Sequence, residues 1–380
     1  MPRAYDVIVV GLGVMGAAAS RALARRGLRV LGLDRFTPPH TMGSSHGGSR
    51  IIREAYFEDP RYVPFVQRAY LLWDELGREF GEPLFVSTGG LMIGLPAGVL
   101  VSGALASARA HGLRHEVLDA AALRRRYPAF QVDDDMVAVW EPRAGVLEPE
   151  RAVAAFLAAA RQRGAETHDD EPALDWQADG EGVVVRTPRA RYRAGRLVLA
   201  AGPWASRLVP ELPVTVERVV QFWFETVGAR QALDAIPIWI WEHERDRFIY
   251  GFPRSERGVK IARHHEGEPA DPDRVRREVG PDEVASIRTV LQRRLPFASG
   301  PLLDSSVCLY TNTPDGHFVI DRHPQHPQAL IVSACSGHGF KFAPVIGEVA
   351  SDLLVEGWTR WDLEPFRVTR FGAEALLPPS

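Results

Sequence analysis

The sequence predicts a mixed α/β plus antiparallel β fold, in which a Rossmann-like nucleotide domain is interleaved with a second domain built on an antiparallel sheet. Three observations carry that expectation. The first strand runs straight into a glycine turn, Gly11-Leu12-Gly13-Val14-Met15-Gly16. Nucleotide-type βα segments recur near both ends and in the middle of the chain. Between them, residues 213–263 read as successive strands, the pattern of an antiparallel sheet. A chain of 380 residues exceeds what one simple core usually holds, so two joined domains are expected.

Taken in order, Val7 to Val10 is a buried parallel-type strand, Ala17 to Arg26 an Ala-rich helix closing at Gly27, and Leu28 to Asp34 a second strand. A Pro- and Gly-rich loop over 36–48 leads to the basic stretch Arg50-Ile51-Ile52-Arg53, and 62–79 form a helix with Trp73 and Leu76 on its apolar side. Residues 84–147 are irregular, with short strands at 91–93 and 137–140 and helices near 97–111 and 119–126. A helix follows at 148–163, then strands at 183–185 and 197–202. The sheet region carries strands at 219–224, 236–241, 248–252 and 258–262, covered by helical segments at 271–293. Strands at 306–310, 318–321 and 329–334 precede a helix from Phe340 to Val355, stopped by Gly357. The expected division is 1–82, 146–213 and 306–376 for the nucleotide domain, with 83–145 and 214–305 forming the substrate domain.

A net charge of −3 gives no reason to expect nucleic acid or an anionic membrane as partner, and no apolar run is long enough to span a bilayer. The first strand begins almost at Met1, leaving no room for a signal peptide. The final Leu377-Pro378-Pro379-Ser380 is no peroxisomal address. Two cysteines, Cys308 and Cys335, make no disulfide framework and fit a reducing compartment, so a cytoplasmic location is expected. The histidines show no metal spacing, so no metal is expected.

In a GxGxxG turn the first glycine permits the tight bend, the second lets backbone approach a pyrophosphate, and the third lets helix pack on strand. The helix N-terminus then offers free N–H groups to phosphate. Asp34, at the tip of the second strand, is placed to accept from ribose hydroxyls. The loop alone does not separate FAD from NAD; its N-terminal position and the later Ala200-Ala201-Gly202 strand end favour FAD. The expected cofactor contacts here are Gly11, Gly13, Val14, Met15, Gly16, Asp34 and Arg35.

Further along, Cys308-Leu309-Tyr310-Thr311-Asn312-Thr313-Pro314-Asp315, His317 to Asp321, and Ser336-Gly337-His338-Gly339-Phe340-Lys341-Phe342 resemble the monomeric sarcosine oxidase and N-methyltryptophan oxidase family. Pro38-Pro39-His40-Thr41, the run His46 to Arg53, Tyr250-Gly251-Phe252-Pro253 and Val259-Lys260 extend that resemblance over essentially the whole chain. It implies a FAD domain of glutathione-reductase type, FAD held covalently by a cysteine thioether, and oxidation of N-methyl or cyclic secondary amino acids by O₂ with release of hydrogen peroxide. By position it makes Cys308 the attachment site, Lys260 the oxygen-activating lysine, and Arg53 with Lys341 the carboxylate grip. It sets His46 and Arg50 beside the flavin and Tyr250, His264 and Tyr310 in the substrate pocket. Ser44, Gly337, Gly339 and Phe340 complete the cofactor contacts. Ser45, Gly48, Ser49, Arg263 and Cys335 depart from the family pattern and bear on pocket shape.

Each of these residues also has a plainer reading. Cys308 on an apolar strand is ordinarily a small buried hydrophobe. Arg53 with Glu54 and Glu58 could be a solvated ion-pair face. Lys260, alternating with apolar Val259 and Ile261, would ordinarily face solvent; yet it and Lys341 are the only lysines among 45 basic residues. Of His264 and His265, one is expected to face solvent. The expected activity is a flavoprotein oxidase of a small N-methyl or secondary amino acid, working as a monomer. Alternatives are an oxidase of larger or cyclic substrates (N-methyltryptophan, pipecolate-like or glycated amino acids), an oxygen-indifferent dehydrogenase, or a non-catalytic flavin-binding redox protein.

Overall fold

The computed structural model describes residues 4–228 and 231–372; Leu377-Pro378-Pro379-Ser380 and the outermost ends of the expected first domain (1–3 and 373–376) lie outside them. Ala4–Val10 sits at the middle of an eight-stranded sheet, parallel to Val30–Leu33 on one side and Arg191–Leu199 on the other. All four side chains of Val7-Ile8-Val9-Val10 are buried, as parallel strands covered on both faces must be. Arg191–Leu199 divides its partners: its first half pairs with the hairpin strand Gly182–Arg186, its last residues with Ala329–Ser333. The helices Val14–Arg25, Pro149–Gln162 and Ala343–Val355 cover one face. Small residues permit this close approach; a Cβ on Gly347 would lie 2.6 Å from the Ala18 carbonyl oxygen.

The second sheet has nine strands and is mostly antiparallel. Leu302–Asn312, Thr215–Phe224, Val259–His264, Arg247–Gly251 and Ile238–Glu244 follow one another, and Gly90–Gly94 then joins parallel to the last. Directly opposed residues share a face, and here the two faces differ in chemistry. Phe222, Phe224, Trp239, Trp241, Val259 and Ile261 form a core against Ile287 and Leu291 of the helix Pro281–Arg294. The other face carries the row Ile240, Tyr250, Ala262, Gln221, Ser306 in register, together with Lys260, His264, Cys308 and Tyr310. That face looks toward the nucleotide sheet. A small third sheet, Arg50–Ile52, Gly145–Leu147 and Phe85–Ser87, fixes the backbone leading into Arg53.

Several elements differ from expectation. Residues 271–280 are not helical; the helix begins at Pro281, where Gly280 donates its N–H to the Glu283 carboxylate. The preceding segment, a turn over 272–274 and then irregular chain, is tied down by Asp271 and Asp273, which bind Arg207 and Trp204, and by Arg277, which donates to the Met42 carbonyl. The strand expected to reach Gly202 ends at Leu199, because Gly202 turns the chain with φ +52° into a short 3-10 turn. The last helix starts at Ala343 after a 3-10 turn over Phe340–Phe342. Short strands at Glu116–Asp119, Glu166–His168 and Asp175–Asp179 have too few apolar residues to stand out in the sequence. Leu302–Asn312 is one uninterrupted strand, so the expected boundary at 306 falls inside it.

Candidate active site

A cavity of about 450 Å³ runs from the glycine turn to Lys341, within the usual range for cofactor sites. At one end Gly11 has φ +87°, and a Cβ there would lie 2.5 Å from the Ala200 carbonyl oxygen. On Gly16 it would meet the Gly11 carbonyl oxygen at 1.7 Å. Gly13, at the N-cap of the helix Val14–Arg25, meets only the Ser45 hydroxyl, at 3.4 Å, which leaves the approach to the helix N-terminus open. Asp34 braces the turn: its carboxylate accepts from Leu12 N at 2.6 Å and Phe36 N at 2.8 Å. Val14, Met15 and Arg35 also line this end, and Arg35 pairs with Asp273 at 2.5 Å over the Trp204 ring. This cradle fits a dinucleotide pyrophosphate.

Farther along, Ser44 donates to the Leu309 carbonyl at 2.5 Å, and Arg50 donates to the Ser44 carbonyl at 2.7 Å and reaches the Cys308 sulfur at 3.5 Å. Cys308 is buried yet lines the cavity. His46 lies behind this wall, with Nε2 3.2 Å from the Gly43 carbonyl. Burial, then the cations Arg50, Arg277 and Lys260, push its imidazole down to about 3, so it is neutral. Lys260 is only 3% exposed. Its ammonium donates to the Gly47 and Ser49 carbonyls at 2.7 and 2.9 Å and lies 4.9 Å from the Phe252 ring centre. Burial, then Arg50, hold it well below the ordinary lysine value.

Near the substrate end, Arg53 is 2% exposed. It grips both Glu58 oxygens at 2.6 and 2.7 Å and the Ala55 carbonyl at 3.0 Å, while its Nε–H has no partner. Burial opposes this charge, but Glu58 more than restores it, so the guanidinium stays ionised. Lys341 donates to the His338 carbonyl at 2.6 Å and faces the Tyr56 hydroxyl at 3.5 Å. Burial, then Arg53, lower its ammonium to about 7. Tyr250, His264 and Tyr310 form a wall, with His264 Nδ1 3.2 Å from the Tyr310 hydroxyl. Burial keeps His264 neutral and both tyrosines protonated. Gly337, at φ +74°, leaves room for this wall; a Cβ there would lie 2.7 Å from the Tyr310 ring. Gly339 passes so close to Ala334 that a Cβ would sit 1.7 Å from its carbonyl oxygen, and Phe340 stacks on Trp73 at 6.1 Å.

Residues 6–353 match a family described as FAD dependent oxidoreductase. The chain belongs to that family. A monomeric sarcosine oxidase of Streptomyces avermitilis is 44% identical, covering 98% of this chain and 99% of its own. An N-methyl-L-tryptophan oxidase of Salmonella arizonae is 38% identical over 97% of this chain and 99% of its own. Among solved structures, the open form of NikD, an unusual amino acid oxidase essential for nikkomycin biosynthesis, superposes with a TM-score of 0.83 at 25% identity, covering 100% of this chain and 98% of that one.

In this FAD-dependent oxidoreductase the structure brings the expected residues onto one cavity, with three exceptions. Gly16, His46 and Lys260 lie outside its lining. Lys260 does not face solvent, as strand alternation alone would have it, because its side of the strand is the interdomain face. Glu58 and Arg53 are not a solvated pair; Arg53 is buried and Glu58 is only 17% exposed, on the cavity wall. Of the two adjacent histidines, His265 is the exposed one, pairing with Glu217. Ser45, a departure from the family pattern, accepts from Val14 N at 3.1 Å and caps the first helix. Cys335 lines the cavity as a neutral thiol, pushed up to about 11 by burial. Sequence reasoning missed Tyr56, Glu58, Gln221 and His338 as cavity or clamp residues. Glu58 carried a signal, since it lies five residues beyond Arg53; Gln221 carried only its polarity amid an apolar strand. Among the described residues no three His, Cys, Asp or Glu could hold a metal ion, and no helix is long and apolar enough to cross a membrane.

Proposed function

We propose that the chain is a flavoprotein oxidase of a small N-methyl or secondary amino acid, with sarcosine as reference substrate. The observation that carries this reading is the buried pair Arg53 and Lys341 in the cavity that begins at the glycine turn, with the Arg53 Nε–H still lacking a partner. Of the charged groups lining this end, Glu58 offsets one of the two cations, so one substrate carboxylate brings the cluster to neutrality. Arg53 offers that carboxylate a directed N–H and Lys341 a point charge. Bound FAD would supply the two-electron acceptor, with O₂ as final oxidant reduced to hydrogen peroxide and water hydrolysing the imine to an aldehyde and the primary amino acid. Tyr250 and Tyr310 keep their protons and burial makes His264 a weak base, so on this reading the reactive amine is the unprotonated one.

Cys308 is the proposed thioether to the flavin, its sulfur on the cavity wall 3.5 Å from an Arg50 nitrogen. Lys260 is the proposed oxygen-activating cation: two carbonyls hold its ammonium, and a buried positive charge lowers the cost of the first electron transfer to O₂. Arg50, His46, Tyr250, His264 and Tyr310 shape the reaction space, and Gly337, Gly339 and Phe340 the flavin edge. The resemblance to enzymes named monomeric supports a monomer, and the two free cysteines support a cytoplasmic setting. The proposed domains are 1–82, 146–213 and 306–376 for FAD, and 83–145 with 214–305 for substrate, the strand Leu302–Asn312 passing between them.

Peroxide release against a panel of N-methyl amino acids tests the function; no peroxide with any of them refutes it. A larger substrate is the second reading, favoured by the apolar cavity residues Phe57 and Ile240 and by the N-methyl-L-tryptophan oxidase relative. On that reading N-methyltryptophan gives the highest kcat/KM of the panel.

A further inference from the structure

Glu141 ends the strand Val137–Glu141 and is 2% exposed. It lies outside the lining of the main cavity, so it does not meet substrate. Its two oxygens accept from consecutive backbone amides, Oε1 from Glu54 N at 2.8 Å and Oε2 from Ala55 N at 2.5 Å. Those amides follow directly on Arg53, and the Ala55 carbonyl in turn receives the Arg53 guanidinium at 3.0 Å. A single carboxylate therefore holds the peptide units that set where Arg53 points. The two N–H donors match an ionised carboxylate, whereas a carboxylic acid or an amide presents a donor to one of them. Around Glu141 lie Arg53, Glu54, Tyr70 and Arg143, and His111 and Arg114 line the same small cleft; Glu54 pairs with Arg143 at 3.0 Å. Burial brings the Glu141 carboxyl up to about 7 against the pull of the two amides and Arg53.

We infer that Glu141 is the positioning residue of the carboxylate clamp, and that substrate affinity depends on its carboxylate being intact and ionised. The inference rests on the reading of Arg53 and Lys341 as the clamp. It makes a prediction opposite to that of simple electrostatics. Glu141 is an anion near the proposed substrate anion, so neutralising it would tighten carboxylate binding through charge alone. Positioning requires the reverse, because a loosened Glu54–Ala55 backbone lets Arg53 drift from its aim. Lys341, near the same acidity, acts in the usual sense: it loses its charge, and its hold on a carboxylate, as pH rises through about 7.

The test is acetate binding to the FAD-loaded enzyme, read from the visible flavin spectrum between about pH 6 and about pH 8.5. Wild-type affinity should pass through a maximum, falling on the acid side as Glu141 protonates and on the alkaline side as Lys341 deprotonates. Glu141→Gln should weaken acetate at least about tenfold at neutral pH, abolish the acid limb and keep the alkaline one. Its KM for the amine substrate should rise while kcat stays within about twofold. Equal or tighter acetate binding by E141Q overturns the inference. If E141Q does not fold, the wild-type profile decides: affinity that only rises as pH falls overturns it, and an acid limb supports it. If acetate leaves the wild-type spectrum unchanged at every pH, the clamp reading fails and the inference falls with it.

Discussion

Replacing Arg53 by Met removes the contacts on which the proposed chemistry depends. Arg53 bonds both oxygens of Glu58, bonds the Ala55 carbonyl, lines the cavity and keeps a buried Nε–H without a partner. With the guanidinium gone, Glu58, 17% exposed, loses the strongest of the charges that stabilise its carboxylate and keeps only His338 and Lys341. Removing one partner of a buried pair costs about 3–5 kcal/mol of stability, most of it the penalty of the orphaned charge. The lost charge-assisted bond to substrate is worth about 1.5–3 kcal/mol, which is roughly 10- to 150-fold in kcat/KM. These two effects separate in the double variant R53M/E58Q. Glu58→Gln removes the orphaned charge, so thermal stability should return toward wild type while kcat/KM stays depressed. The assay is initial-rate peroxide release at saturating O₂, paired with thermal melting. An R53M enzyme within about threefold of wild-type kcat/KM, or a double variant that regains activity, refutes the clamp.

Four further outcomes are expected. Lys341 falls from an ordinary 10.5 to about 7 in the fold, so between those values the folded chain binds fewer protons than the unfolded one and stability rises with pH; urea midpoints of K341M should lack that rise, and equal slopes refute it. Acid precipitation of the wild type should give a yellow pellet, and C308S a colourless one with yellow supernatant; a colourless wild-type pellet rejects the thioether. K260M should slow reoxidation by O₂ on the order of hundredfold in stopped flow while anaerobic reduction by substrate persists, and unchanged reoxidation counts against the role of Lys260. G16A forces a Cβ to within 1.7 Å of the Gly11 carbonyl oxygen, so the purified protein should carry no FAD by its visible absorbance; wild-type FAD content in G16A would show that the turn tolerates the crowding.

The parts legible in the sequence were those whose physics is local. A buried strand, a glycine turn, an alanine-rich helix and a terminal acid lie within residues 7–34, and each declares itself by composition and spacing over a few residues. The strands 219–224 and 258–262 were equally readable, because short runs of mostly apolar, β-branched and aromatic residues are a local signal of a strand covered on both faces. The segment 271–280 was not, since charges that could sit on a helix are instead drawn out by Arg207, Trp204 and the loop carbonyls of residues 41 and 42. Glu166–His168 and Asp175–Asp179 become strands only because a sheet edge is there to pair with them. The same holds for the site. The resemblance to the sarcosine oxidase family placed Arg53, Lys260, Cys308 and Lys341 in one constellation, but their environments came from packing. Only the tertiary structure turned Lys260 inward onto two carbonyls, buried Arg53, and set Glu141 behind its backbone, because burial is a property of neighbours distant in the chain.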